Sequence, residues 1–290
     1  MKKIISILIV LCMFFIFSIP AFATEPPKII LDSRDAVLKI NSYYDIEKTR
    51  FYGSGTGFLV ETIEGVSAIV CTNWHVVTNL DEDSAVYGQA LPSVNIVSNR
   101  DIEISAEIIF ASEKADFAIL KLQNPIYNRR PLVLADSNTL KGSETVYALG
   151  FPDIVDGFND NSAYRPENVS ITSGNISKIT SLNNIPMIQH TAIIDSGSSG
   201  SPLITEGGEV VGINTIMATD HEKAPSIFYA VQINEVRNAL DDMSTSPHPN
   251  GQLETSPEPC HEAFVIGSVL FFILTVAALV VFIVFMKKSK

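Results

Sequence analysis

Gly197-Ser198-Ser199-Gly200-Ser201-Pro202 is the stretch that decides how this chain is read. Ser199 has a glycine two residues before it and another directly after it, in the pattern Gly-x-Ser-Gly-x-Pro. Glycine at such positions permits unusual backbone dihedrals and a close approach of another molecule to the main chain. A serine that attacks a carbonyl needs a tight turn that exposes its hydroxyl, with backbone N–H groups aimed at the developing negative oxygen. Ser199 is therefore the candidate nucleophile, and the N–H groups of Gly197 and Ser199 are the candidate oxyanion donors. Taken alone, the stretch also fits an ordinary Ser/Gly turn between two strands.

Two upstream segments add to it. The apolar run Ala68-Ile69-Val70-Cys71 leads into Thr72-Asn73-Trp74-His75-Val76-Val77. A histidine at a strand exit can act as a general base near neutral pH. The chain has five histidines; of these only His75 combines a strand exit with apolar surroundings, whereas His190 falls inside a strand and His221, His248 and His261 lie in polar segments. The third segment is Lys114-Ala115-Asp116-Phe117-Ala118-Ile119-Leu120. A carboxylate at the head of a buried strand must find a donor, and an imidazole N–H is a good one. The order His75, Asp116, Ser199 places base and carboxylate in the first half and nucleophile in the second, as in a cleft between two lobes. It differs from the other two chain orders known for such triads.

The sequence around these residues is strand-rich. Short runs of alternating or continuous apolar character are expected as strands at 36–40, 57–60, 67–71, 95–97, 104–110, 117–122, 145–149, 168–177, 187–191, 203–205, 210–214 and 228–231. Many short strands separated by Gly and Asn turns predict an all-β sandwich or barrels. The length fits two barrels, at about 35–135 and 143–233, with the crossover at 131–142. Only the end reads as helical: Asn234 is expected to cap a helix over 234–242 with Val236, Ala239 and Leu240 on one face.

Composition sets the address. The formal net charge is −12, which argues against a nucleic-acid partner. All 32 acidic residues lie between Glu25 and Glu262, while Lys2, Lys3, Lys287, Lys288 and Lys290 flank two apolar ends. Residues 4–19 are apolar and lead to Ala21-Phe22-Ala23, so 1–23 reads as a secretory signal peptide cleaved after Ala23, or as an uncleaved anchor. Residues 263–286 carry no charge and are long enough to cross a ~30 Å hydrocarbon core as one transmembrane helix. The basic tail at 287–290 stays cytoplasmic under the positive-inside rule. Residues 244–262 are Ser/Pro-rich and read as a stalk, leaving 24–243 as the domain. The expectation is a single-pass cell-membrane protein with its domain outside the cytoplasm. Cys71 and Cys260, the cysteines left after signal removal, lie in a strand and in the stalk; this is no disulfide scaffold and fits a bacterial exported protein.

These segments resemble the HtrA-like branch of the trypsin-like serine peptidases. The resemblance rests on Gly53-Ser54-Gly55-Thr56-Gly57-Phe58, Thr72 to Val77, Ala115 to Leu120, Gln189 to Pro202, Glu209-Val210-Val211-Gly212-Ile213-Asn214-Thr215 and Phe228-Tyr229-Ala230-Val231. It implies a chymotrypsin-like double six-stranded β-barrel that hydrolyses peptide bonds of protein or peptide substrates through an acyl-enzyme, with no metal or organic cofactor. It implies a triad of His75, Asp116 and Ser199 and an oxyanion hole at Gly197 and Ser199. It also implies a primary pocket walled by Ile193 and by Gly212, Ile213 and Asn214, suited to small or medium apolar side chains. Ser198 and Ser201 depart from the Asn and Gly usual in that branch, and no PDZ domain is expected after the peptidase domain. Ser198 excludes the buried carboxylate of zymogen-activated relatives, so no activation through a new N-terminus is expected. Two function classes remain open on these residues: a membrane-anchored serine endopeptidase, and a catalytically silent fold used as a binding adaptor at the membrane.

Overall fold

From Val37 onward, strands with alternating or continuous burial follow one another until the last helix. The computed structural model describes residues 25–46, 49–60, 68–80, 93–99, 102–153, 164–215 and 227–245. Twelve strands lie in these residues: β1 (Val37–Ile46), β2 (Thr49–Val60), β3 (Ile69–Thr72), β4 (Ser93–Asn99), β5 (Ile102–Ser112), β6 (Phe117–Leu122), β7 (Thr145–Gly150), β8 (Ser170–Leu182), β9 (Ile185–His190), β10 (Pro202–Thr205), β11 (Val210–Thr215) and β12 (Phe228–Gln232). Each of the twelve expected runs overlaps one of them, with 36–40, 67–71, 168–177 and 187–191 each overshooting its strand by one or two residues. The expected strands were mostly short of the observed ones, because a hairpin continues wherever its partner supplies hydrogen bonds, even through polar stretches such as the first residues of β2.

The strands close into two barrels, β1-β2-β3-β6-β5-β4 and β7-β8-β9-β12-β11-β10, with the same connectivity in each. Register shifts within β4–β5, β5–β6, β8–β9 and β10–β11 bend the ladders and help them close. Side chains alternate between faces along a strand. In β7, Val146 and Ala148 join the apolar cluster of Ile176, Ile188 and Leu203. Tyr147 and Leu149 join a second cluster that also holds Phe58 and Leu120 of the first barrel. The core is therefore continuous across the two barrels.

The crossover is pinned where it changes barrels. Leu132 N donates to Leu59 O, while Val210 N donates to Val133 O and Ala135 N to Val210 O, all at 2.9 Å. This lies within the expected 131–142 segment.

Helical structure departs from expectation at both ends of the domain, besides 3-10 turns at Ser137–Thr139 and Pro166–Asn168. A single turn, α1 (Lys28–Asp32), and a 3-10 turn precede β1, with Ile30 fully buried. So short a helix leaves no periodic signal. The C-terminal helix α2 (Asn234–Thr245) runs past the expected 242 and buries Val236 and Ala239 on one face as expected. Asn234 does not cap it: its Oδ1 accepts from Ser137 N and its Nδ2 donates to Asp136 Oδ1, tying the helix start to the crossover. The first helical carbonyl is instead that of Ile233, which accepts from Val236 N and Arg237 N. The signal peptide, the span at 263–286, the basic tail and all but the start of the stalk lie outside the described residues. Among the described residues, no helix is long and apolar enough to cross a membrane.

Candidate active site

His75 stands in the turn after β3, held there by its flanks. Val76 and Val77 are buried, and Val77 N donates to Trp74 O at 3.1 Å. Asp116 closes the four-residue turn from β5 to β6, in which Asp116 N donates to Glu113 O and Ala115 N to Ser112 Oγ. Its φ is +50°, a left-handed conformation that Asp tolerates better than most side chains. Such strain persists only where surroundings over-determine it. Here Asn73 Nδ2 donates to Asp116 O at 2.7 Å.

β3 and β6 are hydrogen-bonded neighbours, with Thr72 opposite Ala118, so the two side chains leave the barrel together. His75 Nδ1 lies 3.0 Å from both oxygens of Asp116, and His75 N donates to Oδ1 at 3.1 Å. A carboxylate against Nδ1 selects the tautomer protonated there and leaves Nε2 to accept a proton. Thr215, at the end of β11, donates its Oγ1 to Asp116 Oδ2 at 2.6 Å. The second barrel thus secures the carboxylate of the first.

Ser199 sits in the loop from β9 to β10. Gly197 and Gly200 both have φ +85°. A Cβ at Gly200 would meet Thr56 O and Thr72 Oγ1 at 2.2 Å and Asn73 N at 2.9 Å, so this loop presses on the backbone that leads to His75. Thr56 N donates to Ser199 O at 2.9 Å, and Gly200 N donates to Asn214 O at 2.9 Å. Ser199 as a residue is buried. Among the described residues the Gly197 and Ser199 N–H groups donate to no protein acceptor, whereas Ser198, Gly200 and Ser201 N–H groups do. Both are therefore unspent donors. No hydrogen bond joins His75 to Ser199; such contacts commonly tighten only with substrate.

The two unusual serines are used inside the loop. Ser198 Oγ accepts from Asp195 N at 3.4 Å, and Ser201 Oγ accepts from Asn214 Nδ2 at 3.0 Å. Gly212, Ile213 and Asn214 lie in β11. A Cβ at Gly212 would meet Val231 O at 2.8 Å, and Ile213 and Asn214 are fully buried. Ile193 is 61% exposed and lines a cavity of about 160 Å³ with Ala148, Gly150, Pro152, Asp195 and Ser198. That cavity does not reach His75 or Ser199.

Burial dominates two other groups. Cys71, in β3, is a free buried thiol whose pKa is pushed far up by loss of solvent. His190 is fully buried with both ring nitrogens unpartnered among the described residues. Burial pulls its pKa down to about 4, a shift that neighbouring Asn214 and Ala192 oppose without reversing.

Thr215, Asn73 and Thr56 were not legible as site residues. Thr215 is 99 residues from Asp116 in sequence, and nothing local marks a threonine at a strand end.

Comparison with known proteins places the chain among relatives. Residues 55–213 match the trypsin-like peptidase domain family. A probable periplasmic serine endoprotease DegP-like of Halomonas elongata is 30% identical over 193 residues, covering 65% of this chain and 35% of that protein. The serine protease HTRA1A of Danio rerio is 33% identical over 190 residues, covering 64% of this chain and 34% of that protein. The chain thus spans about a third of the length of these curated relatives. Among solved structures, the active form of the Rv3671c protease from M. tuberculosis superposes with a TM-score of 0.57 at 22% identity, covering 80% of this chain and 89% of that one. An HtrA-type protease, AlgW, with tripeptide gives a TM-score of 0.58 at 18% identity, covering 79% of this chain and 65% of that one. Both likenesses are of fold.

Proposed function

Because the chain belongs to the trypsin-like peptidase family, with HtrA-named proteins among its relatives, we propose that it is a serine endopeptidase acting on protein or peptide substrates. The observation that carries this is the Asp116–His75 pair, braced by Thr215, facing a serine loop with two unspent N–H groups. His75 Nε2 takes the Ser199 proton as Oγ attacks the scissile carbonyl. The N–H groups of Gly197 and Ser199 hold the oxyanion, an effect worth roughly 3–4 kcal/mol per donor. Asp116 keeps the imidazole oriented and stabilises its charged form. The imidazolium then protonates the leaving amine, and water, activated by His75, releases the acyl group.

A fluorophosphonate reagent tests this. Wild type should be labelled, and Ser199→Ala should not be. His75→Ala should slow labelling by roughly three orders of magnitude or more. Absence of wild-type labelling in folded protein would instead favour the binding-adaptor reading. Ile193, exposed beside the serine loop, supports a preference for small or medium apolar side chains, readable from a cleavage-site profile of wild type against Ser199→Ala.

For location, we propose an extracytoplasmic domain carried by the signal at 1–23 and anchored by the span at 263–286. The flanking lysines and the periplasmic label of the DegP-like relative support this. The full chain should stay in membranes through alkaline carbonate extraction, and a chain ending at Thr245 should be released. Release of both would remove the anchor from the proposal.

A further inference from the structure

Lys39 is a buried cation that the mechanism above does not use. It lies on β1, its side chain is 2% exposed, and its Nζ sits 3.1 Å from Asp153 Oδ1. Asp153 is half exposed and belongs to the segment that follows β7 in the second barrel. The same ammonium lies 5.6 Å over the Tyr164 ring, which packs edge-on against Phe151. An ammonium taken out of water is costly unless it keeps a countercharge. Lys39 therefore constrains where the Asp153 carboxylate can be.

Asp153 in turn fixes the oxyanion peptide. Its N–H donates to Ser196 O at 2.8 Å. In a trans peptide the C=O and the following N–H point in opposite directions. Turning Ser196 O toward Asp153 therefore turns the Gly197 N–H to the other side. Gly197 is packed directly on this support: a Cβ there would meet Asp153 Oδ1 at 2.5 Å and Asp153 N at 2.7 Å. Thr56 faces Lys39 across the β1–β2 ladder and completes the hold. Its Oγ1 donates to Gly197 O at 2.7 Å and accepts from Phe151 N at 3.0 Å.

We propose that the Lys39–Asp153 pair is a positioning device: the first barrel uses it to hold the Ser196–Gly197 peptide with its N–H available to an oxyanion. It rests on the serine-peptidase reading given above. It makes the oxyanion hole dependent on β1, a strand that carries no triad residue.

The test is fluorophosphonate labelling of the full chain, resolved into a maximal labelling rate and a half-saturation concentration, with circular dichroism on each variant. Asp153→Asn should lower the maximal rate roughly 10- to 100-fold, less than the roughly 100- to 1000-fold lost when an oxyanion donor is removed outright. The half-saturation concentration and the folded signal should stay near wild type. Asp153→Glu should recover part of the rate. Lys39→Met should match Asp153→Asn, and the double variant should be no slower than either alone, since both act through one contact. If Lys39→Met fails to fold, the two Asp153 variants decide the matter. Wild-type labelling rates in Asp153→Asn, or a loss that only follows loss of folded protein, overturn the proposal. Absence of labelling in wild type itself strikes the serine-peptidase reading instead and takes this device with it.

Discussion

Asp116 shows how much chemistry one residue can gather. Its left-handed backbone, its bond from Asn73 and its two bonded oxygens leave it a single orientation, and that orientation aims His75. Thr215→Val removes a 2.6 Å hydrogen bond to a carboxylate while nearly keeping side-chain volume. Hydrogen bonds to charged groups contribute about 1.5–3 kcal/mol, so maximal labelling should fall roughly 10-fold or more. The half-saturation concentration should hold, because Thr215 acts through Asp116. Gly200→Ala is a different kind of change. The new methyl would sit 2.2 Å from Thr56 O with φ at +85°, so both space and dihedral forbid it. Its expected outcome is a lowered melting temperature together with lost labelling, measured on one preparation. His75, Asp116 and Ser199 were legible because each stands in a recognisable local setting. Thr215 was not, because its only distinction is a partner brought near by folding.

At the scale of elements, the strands were legible from apolar patterning and the helices only where they are long. β6 (Phe117–Leu122) matches its expected bounds, since its apolar residues are bounded by the Asp116 turn. β2 begins eight residues earlier than the apolar run predicts, because β1 pairs with it throughout, from Val37 opposite Phe58 to Ile46 opposite Thr49. β3 offers a test of its burial. Its Cys71 thiol is held neutral by loss of solvent, and the thiolate is the reactive form. With Cys12 and Cys260 replaced by Ser, the folded chain should not react with a disulfide-exchange reagent at pH 8. It should react fully once denatured. Rapid reaction of the folded protein would mean that β3 is not buried as described.

For the whole molecule, the burial of His190 inside the second barrel gives stability a pH signature. Its native pKa is about 4, against an ordinary value near 6.5. Between those values the unfolded chain binds the extra proton, so stability rises with pH across the window. The contribution is fully present above about pH 6.5 and is lost as pH falls toward 4, on the order of 3 kcal/mol in all. Urea unfolding at pH 7 and pH 4.5 should show the fall, and His190→Phe should shrink it. An unchanged pH dependence in that variant would exclude His190 as its source. By itself the sequence determined the all-β class, the two-barrel count, the acidic charge of the central segment and the three residues proposed to carry the chemistry. These are written in apolar period, glycine placement, charge runs and chain order, and the barrel count in chain length and family resemblance. Only the tertiary structure decided which groups support them. Thr56, Lys39, Asp153 and Thr215 act across the barrel interface, and contacts between residues so far apart in sequence leave no local trace until the two barrels close against each other.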